Sequence, residues 1–181
     1  MTREELEHAI RAACDVADET EVYVFGSQAI LGQFPDAPAA LRMSAEADIA
    51  PKHFPERADL IDGSLGELSM FHDTHGFYVH GLDISAATLP AGWEERAIRV
   101  QTSATRQNIG WCLEGHDLAA SKLVAFRDKD REFVRVLIAE RMVAPEELAK
   151  RIRILPRVDT ERLLGWVRIT SAEVSSLRRK E

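Results

Sequence analysis

Glu46 and Asp48 stand two residues apart in the segment MSAEADIA, residues 43–50. On an extended strand, positions i and i+2 project from the same face, so the two carboxylates would lie side by side. Like charges that close repel unless a cation sits between them, and hard oxygen donors suit Mg2+ or Mn2+. The other reading is a solvated strand face, because Met43, Ala45, Ala47 and Ile49 give the opposite face its apolar alternation. Asp83, in Gly81-Leu82-Asp83-Ile84, is an acid in an apolar strand context. It is a candidate third carboxylate for a one- or two-metal site, or an ordinary strand-end aspartate.

Gly26-Ser27 directly follows the apolar run EVYVF, residues 21–25. A glycine there lets the chain turn tightly, and the amides and hydroxyl that follow can hold phosphate oxygens. The same pair serves equally as a plain turn, and the chain carries no GxxxxGK[ST] loop. Downstream, Lys122 and Lys129 are seven residues apart and on one helix would lie within about 20° of each other. With Arg127 they can neutralise phosphoryl charge, or snorkel and pair with Asp128 and Asp130. His72, His75 and His80 form H-x2-H-x4-H, a transition-metal candidate without the cysteines of structural zinc sites. Arg151, Arg153, Arg157, Arg178, Arg179 and Lys180 can meet RNA phosphates or simply solvate helix faces.

The elements that would carry these residues are legible in outline. Residues 2–18 read as an amphipathic helix with Thr2 and Glu5 as a capping box. Residues 21–25 read as a buried strand, and 33–40, QFPDAPAA, as a proline-rich loop. The spacing predicts strands at 43–50, ended by Pro51, at 76–86 with a glycine interruption, and at Ile98–Val100. A short edge strand is expected from Gly110 to Leu113. ERADLIDGSLGE suggests a short helix or turn. Asp117 is expected to cap one long helix through residue 140, with Leu118, Phe126, Phe133 and Leu137 inward. Pro145 and Asp159 mark two further helix starts. The expected fold is therefore α/β (α+β), with a mixed α/β part over residues 1–115 and a helical part over 116–181.

The 181 residues are 45% hydrophobic and 29% charged, enough for a packed core. The net charge of −7 gives no sign of a general nucleic-acid coat protein. It hides an asymmetry, because residues 1–100 hold 18 acidic and 7 basic side chains, and the remainder 12 and 16. An acidic and a basic half can form two walls of a cleft for metal ions and phosphates. No apolar run approaches the ~18–20 residues of a membrane span. The N-terminal segment lacks the apolar stretch of a signal peptide. Cys14 and Cys112 match no metal or redox spacing. The expectation is a cytoplasmic protein with two reduced thiols and no membrane partner.

The order of these motifs resembles the DNA polymerase β-like nucleotidyltransferase superfamily. The resemblance is carried by strand, Gly26-Ser27, loop, then Arg42-x-Ser44-x-Glu46-Ala47-Asp48-Ile49. The stretch from Asp117 to Asp130, DLAASKLVAFRDKD, is similar to the helical part of abortive-infection-type nucleotidyltransferase toxins of bacteria. GSLGELSMFHDTHGFYVHGLD and LPAGWEER look like a related bacterial branch. The resemblance implies a small mixed sheet flanked by helices, with a helical C-terminal part packed on it. It implies that Gly26 and Ser27 hold the triphosphate and that Glu46, Asp48 and Asp83 bind Mg2+ or Mn2+. Lys122 would contact phosphate, with Lys129 and Asp130 at the site's edge. The implied reaction moves an NMP from an NTP to an acceptor hydroxyl on RNA or tRNA, a protein or a small molecule. An antitoxin is an implied partner, and a nucleotide-binding module without transfer is the alternative. Two departures stand out. Glu46 occupies a position where the superfamily usually has Asp, and 18 residues separate Ser27 from Glu46.

Overall fold

The computed structural model describes residues 1–179. Lys180, one of the basic residues read as an RNA contact, lies outside them. The described chain packs as two compact units, Met1–Ala87 with Glu94–Glu114, and Thr88–Trp93 with Gly115 onward.

The first unit opens with α1 (Arg3–Ala17), whose capping box forms as its sequence dictates: Thr2 accepts from the Glu5 amide while Glu5 reaches back to the Thr2 amide. Strand β1 (Glu21–Phe25) follows. The Gly-Ser turn leads through a single 3-10 turn into α2 (Ile30–Gln33). Strand β2 (Glu46–Pro51) starts three residues later than the alternation suggested. Met43 is therefore 83% exposed rather than part of an apolar face. Next come α3 (Ala58–Leu65), α4 (Met70–His75) and β3 (Tyr78–Gly81), the last shorter than the expected 76–86. The short helix α5 (Trp93–Arg96) precedes β4 (Ile98–Val100) and β5 (Ile109–Cys112).

These strands make one mixed sheet in the order β3-β2-β1-β5-β4. β1 runs antiparallel to β2 and parallel to β5, and β2 runs parallel to β3. The 110–113 segment is thus an interior strand and not an edge, because β5 is paired on both sides. Along β1, β2 and β3, buried Val22, Val24, Ala47, Ile49 and Val79 alternate with half-exposed Glu21, Tyr23, Glu46, Asp48, Tyr78 and His80. Helices α1 and α3 pack against the apolar side. Gly81 sits under α3, where a Cβ would lie 2.2 Å from the Ala58 carbonyl oxygen. Cys14 and Cys112 are buried and unbridged, and burial pushes both thiols up to about 12.

The second unit is helical: α6 (Gly115–Ala125), α7 (Asp128–Ala139), α8 (Pro145–Arg153) and α9 (Thr160–Arg178). The single long helix expected over 118–140 is broken. Phe126 takes a left-handed φ of 53° and Arg127 is extended, so two helices replace one rod. Asp117 lies inside the first turn of α6 rather than capping it, fully buried and ion-paired to Arg151 at 3.1 Å. The starts at Pro145 and Asp159 are as expected, and Asp159 accepts from the Arg162 amide.

Candidate functional site

Three elements bring the chemistry of the sheet unit to one place. The antiparallel register sets Phe25 opposite Asp48, so the chain leaves β1 and turns beside the acid-x-acid pair. Gly26 makes that turn at φ 67°, and a Cβ there would stand 1.8 Å from Asp48 Oδ2. Only glycine permits this conformation and this approach together. Ser27 follows, half-exposed, at the start of the 3-10 turn. Gln28, fully buried, donates from Nε2 to the Leu41 carbonyl, which ties the turn to the loop entering β2.

Glu46 and Asp48 project from the half-exposed side of β2, as their spacing required. The parallel register sets Tyr78 beside Glu46 and His80 beside Asp48. His80 Nδ1 lies 3.0 Å from Glu46 Oε1 and 3.4 Å from Asp48 Oδ1. One donor atom from each of Glu46, Asp48 and His80 falls within 4.8 Å of the others. Further along the same side, Glu21 Oε2 accepts from Lys52 Nζ at 2.5 Å and Trp111 Nε1 at 2.6 Å. These two donors, Lys52 foremost, hold the Glu21 carboxyl below its ordinary range.

Asp83 is placed differently. It is exposed beyond the end of β3 and caps a 3-10 turn, accepting from the Ser85 amide at 2.7 Å. Hydrogen bonds from Ser85 hold its carboxyl low. The residue that completes the cluster with Glu46 and Asp48 is His80. Its sequence signal is strand parity, since His80 shares a side with Tyr78 in the Tyr78–Gly81 strand, whereas Asp83 lies beyond that strand's end. The three histidines read as a metal set do not converge. His72 Nδ1 accepts from the Leu68 amide, His75 packs against His8 and Phe71, and His80 stands on the sheet.

In the helical unit, Asp130 is buried and gathers two cations. Arg127 Nε lies 2.6 Å and Lys122 Nζ 3.4 Å from its carboxylate. Burial pushes this carboxyl up, but the Arg127 and Lys122 interactions outweigh it and leave the group below its ordinary value. Lys122 also lies over the Phe133 ring at 5.3 Å. Lys129 is exposed on α7. The Phe126 break puts Lys122 and Lys129 on separate helices, so the shared stripe does not form. Arg151, read as an RNA contact, pairs within its unit to Asp117 and Glu147.

The donor set on β2 and β3 fits a divalent cation: two carboxylates and an imidazole, each half-exposed, clustered on a rigid sheet and approached by the Gly26 backbone. The chain belongs to the family described as nucleotidyltransferase of unknown function, DUF6036, whose family model matches residues 4–153. The match runs through α8 and stops before α9. No curated protein and no solved structure matches the chain. Among the described residues, no helix is long and apolar enough to cross a membrane.

Proposed function

We propose that the chain is a divalent-metal-dependent nucleotidyltransferase that moves an NMP from an NTP to an acceptor hydroxyl. The observation that carries this reading is the placement of Glu46 and Asp48 on one side of β2, beside the Gly26 turn, in a chain of the nucleotidyltransferase family. The acceptor hydroxyl releases its proton to solvent as its oxygen attacks the α-phosphorus, the bond to the α–β bridging oxygen breaks, and pyrophosphate leaves. Gly26 and Ser27 hold the phosphates through turn amides and a hydroxyl. Glu46 and Asp48 hold the cation, which when bound supplies charge neutralisation and activation of the acceptor oxygen. The fixed strand backbones contribute orientation, a large share of such a barrier reduction.

The acceptor is an RNA or tRNA end, a protein hydroxyl or a small molecule. The similarity of DLAASKLVAFRDKD to toxin-type members supports testing RNA first and seeking an antitoxin partner. Incubation of the purified chain with labelled NTPs, Mg2+ or Mn2+, and tRNA or cell extract tests the reading. Label should move to an acceptor with release of pyrophosphate. Absence of both transfer and NTP binding in calorimetry would overturn it. A second reading, nucleotide binding without transfer, draws support from the exposed position of Asp83. It expects NTP binding with no label transfer to any acceptor.

A further inference from the structure

We propose that His80 is the third protein donor of the ion site and makes the site select a first-row transition ion, represented by Mn2+, over Mg2+. The inference rests on the metal-dependent reading above. Two ligands at right angles on an ion with bonds of 2.0–2.1 Å stand about 3 Å apart. His80 Nδ1 meets Glu46 Oε1 at 3.0 Å and Asp48 Oδ1 at 3.4 Å, the spacing of neighbouring ligands around one ion. This imidazole is set by backbone rather than by a flexible loop. The β2–β3 register pairs Asp48 with His80, and the Leu82 amide continues the ladder to the Ile49 carbonyl. Gly81 packs directly on the Ala58 carbonyl, which fixes the strand just past His80.

The chemistry of the set then differs from three carboxylates. Mg2+ favours oxygen and gives up its water reluctantly. Imidazole nitrogen suits first-row transition ions better than it suits Mg2+; Mn2+, which also takes oxygen donors, is the mildest member of that series. Replacing one oxygen donor by His80 Nδ1 therefore costs Mg2+ more than Mn2+. The same nitrogen lies at hydrogen-bond distance from Glu46 Oε1, so the proposal has a direct competitor: an imidazole that only braces the carboxylates.

The test uses the full chain and the ions alone. Mn2+ binding is read from loss of the free-ion EPR signal, and Mg2+ binding from its competition with Mn2+. His80→Asp, His80→Ala and Asp48→Asn are compared with the unaltered chain, with circular dichroism as the check on folding. The unaltered chain should bind Mn2+ at least about tenfold more tightly than Mg2+. His80→Ala should weaken Mn2+ by about tenfold or more, on the scale of disrupted metal environments. His80→Asp should bring the two ions close to parity. Pulsed EPR should show nitrogen coupling to Mn2+ that disappears in His80→Asp. Loss of binding in Asp48→Asn, together with an ion ratio unchanged in the His80 variants and no nitrogen coupling to Mn2+ in the unaltered chain, would overturn the inference and leave metal-dependent transfer standing. No binding of either ion to the unaltered chain would overturn the inference, and label transfer persisting in excess chelator would separately overturn the metal-dependent reading.

Discussion

Glu46 and Asp48 on the sheet and Asp130 in the helical unit are carboxylates in different company. The sheet pair shares the Nδ1 of one imidazole and stays half-exposed, with Glu46 at 35% and Asp48 at 22%. Asp130 is 1% exposed and is gripped by a guanidinium and an ammonium. Permanent cations neutralise the buried acid within its own unit. A single imidazole partner and partial exposure suit the sheet pair to the divalent ion of the proposed function. Residue type alone does not separate these cases. The partner's charge and the degree of burial do.

Substitutions should divide along the same line. Asp48→Asn is expected to lower NMP transfer by about a thousandfold, the scale of several kcal/mol of lost charge stabilisation. Its urea midpoint should stay near that of the unaltered chain. Equal loss of stability would erase the contrast. Asp130→Ala should do the reverse, because it leaves Lys122 and Arg127 without their shared carboxylate. Buried pairs broken in this way lose about 3–5 kcal/mol, and the 60% exposure of Arg127 brings the expected loss to about 2–3 kcal/mol in urea unfolding.

Gly26→Ala joins the two behaviours. The Gly26 backbone, at φ 67° and ψ −170°, lies in a region essentially reserved for glycine and costs about 1–3 kcal/mol for a residue with a Cβ. The new methyl must also displace Asp48, so transfer should fall by roughly a hundredfold, as for misplaced catalytic groups. Unfolding and transfer measured on one preparation would separate the terms. Acid titration gives a smaller effect. Because the Asp130 carboxyl titrates lower in the folded chain than in the unfolded one, its stabilisation is complete above the ordinary aspartate value of about 3.9. It is lost as pH falls through the lowered native value. Asp130→Asn should flatten the stability profile in that acid window and leave the profile near neutrality parallel to the original. Asp83→Asn is the smallest. It should loosen only the Ser85 turn and change transfer by less than about threefold, a size typical of exposed positions. A large loss would bring Asp83 into the site.

Local chemistry made much of this architecture readable. The Thr2–Glu5 box, the EVYVF strand, Pro145 and Asp159 all act within a few residues of themselves. Their outcomes follow from capping, β-branching and proline geometry. The interior position of β5 depends on its parallel pairing with β1, a partner some 90 residues away that composition does not announce. The break at Phe126 was hidden for another reason. An aromatic residue in a left-handed conformation carries no turn signature, so the helical pattern runs through it uninterrupted. At the candidate site, the acid-x-acid spacing and the Gly-Ser turn were visible as pieces. That they face each other, and that His80 rather than Asp83 completes the cluster, required the strand register.

The two buried thiols have a practical consequence. With Cys14 and Cys112 pushed up to about 12 and shielded from solvent, neither offers appreciable thiolate to a maleimide at neutral pH. A single cysteine placed at Met43, 83% exposed and three residues before the carboxylate strand, would be the one fast-reacting position. A dye attached there can be used to test for nucleotide or ion binding without any native cysteine first being removed.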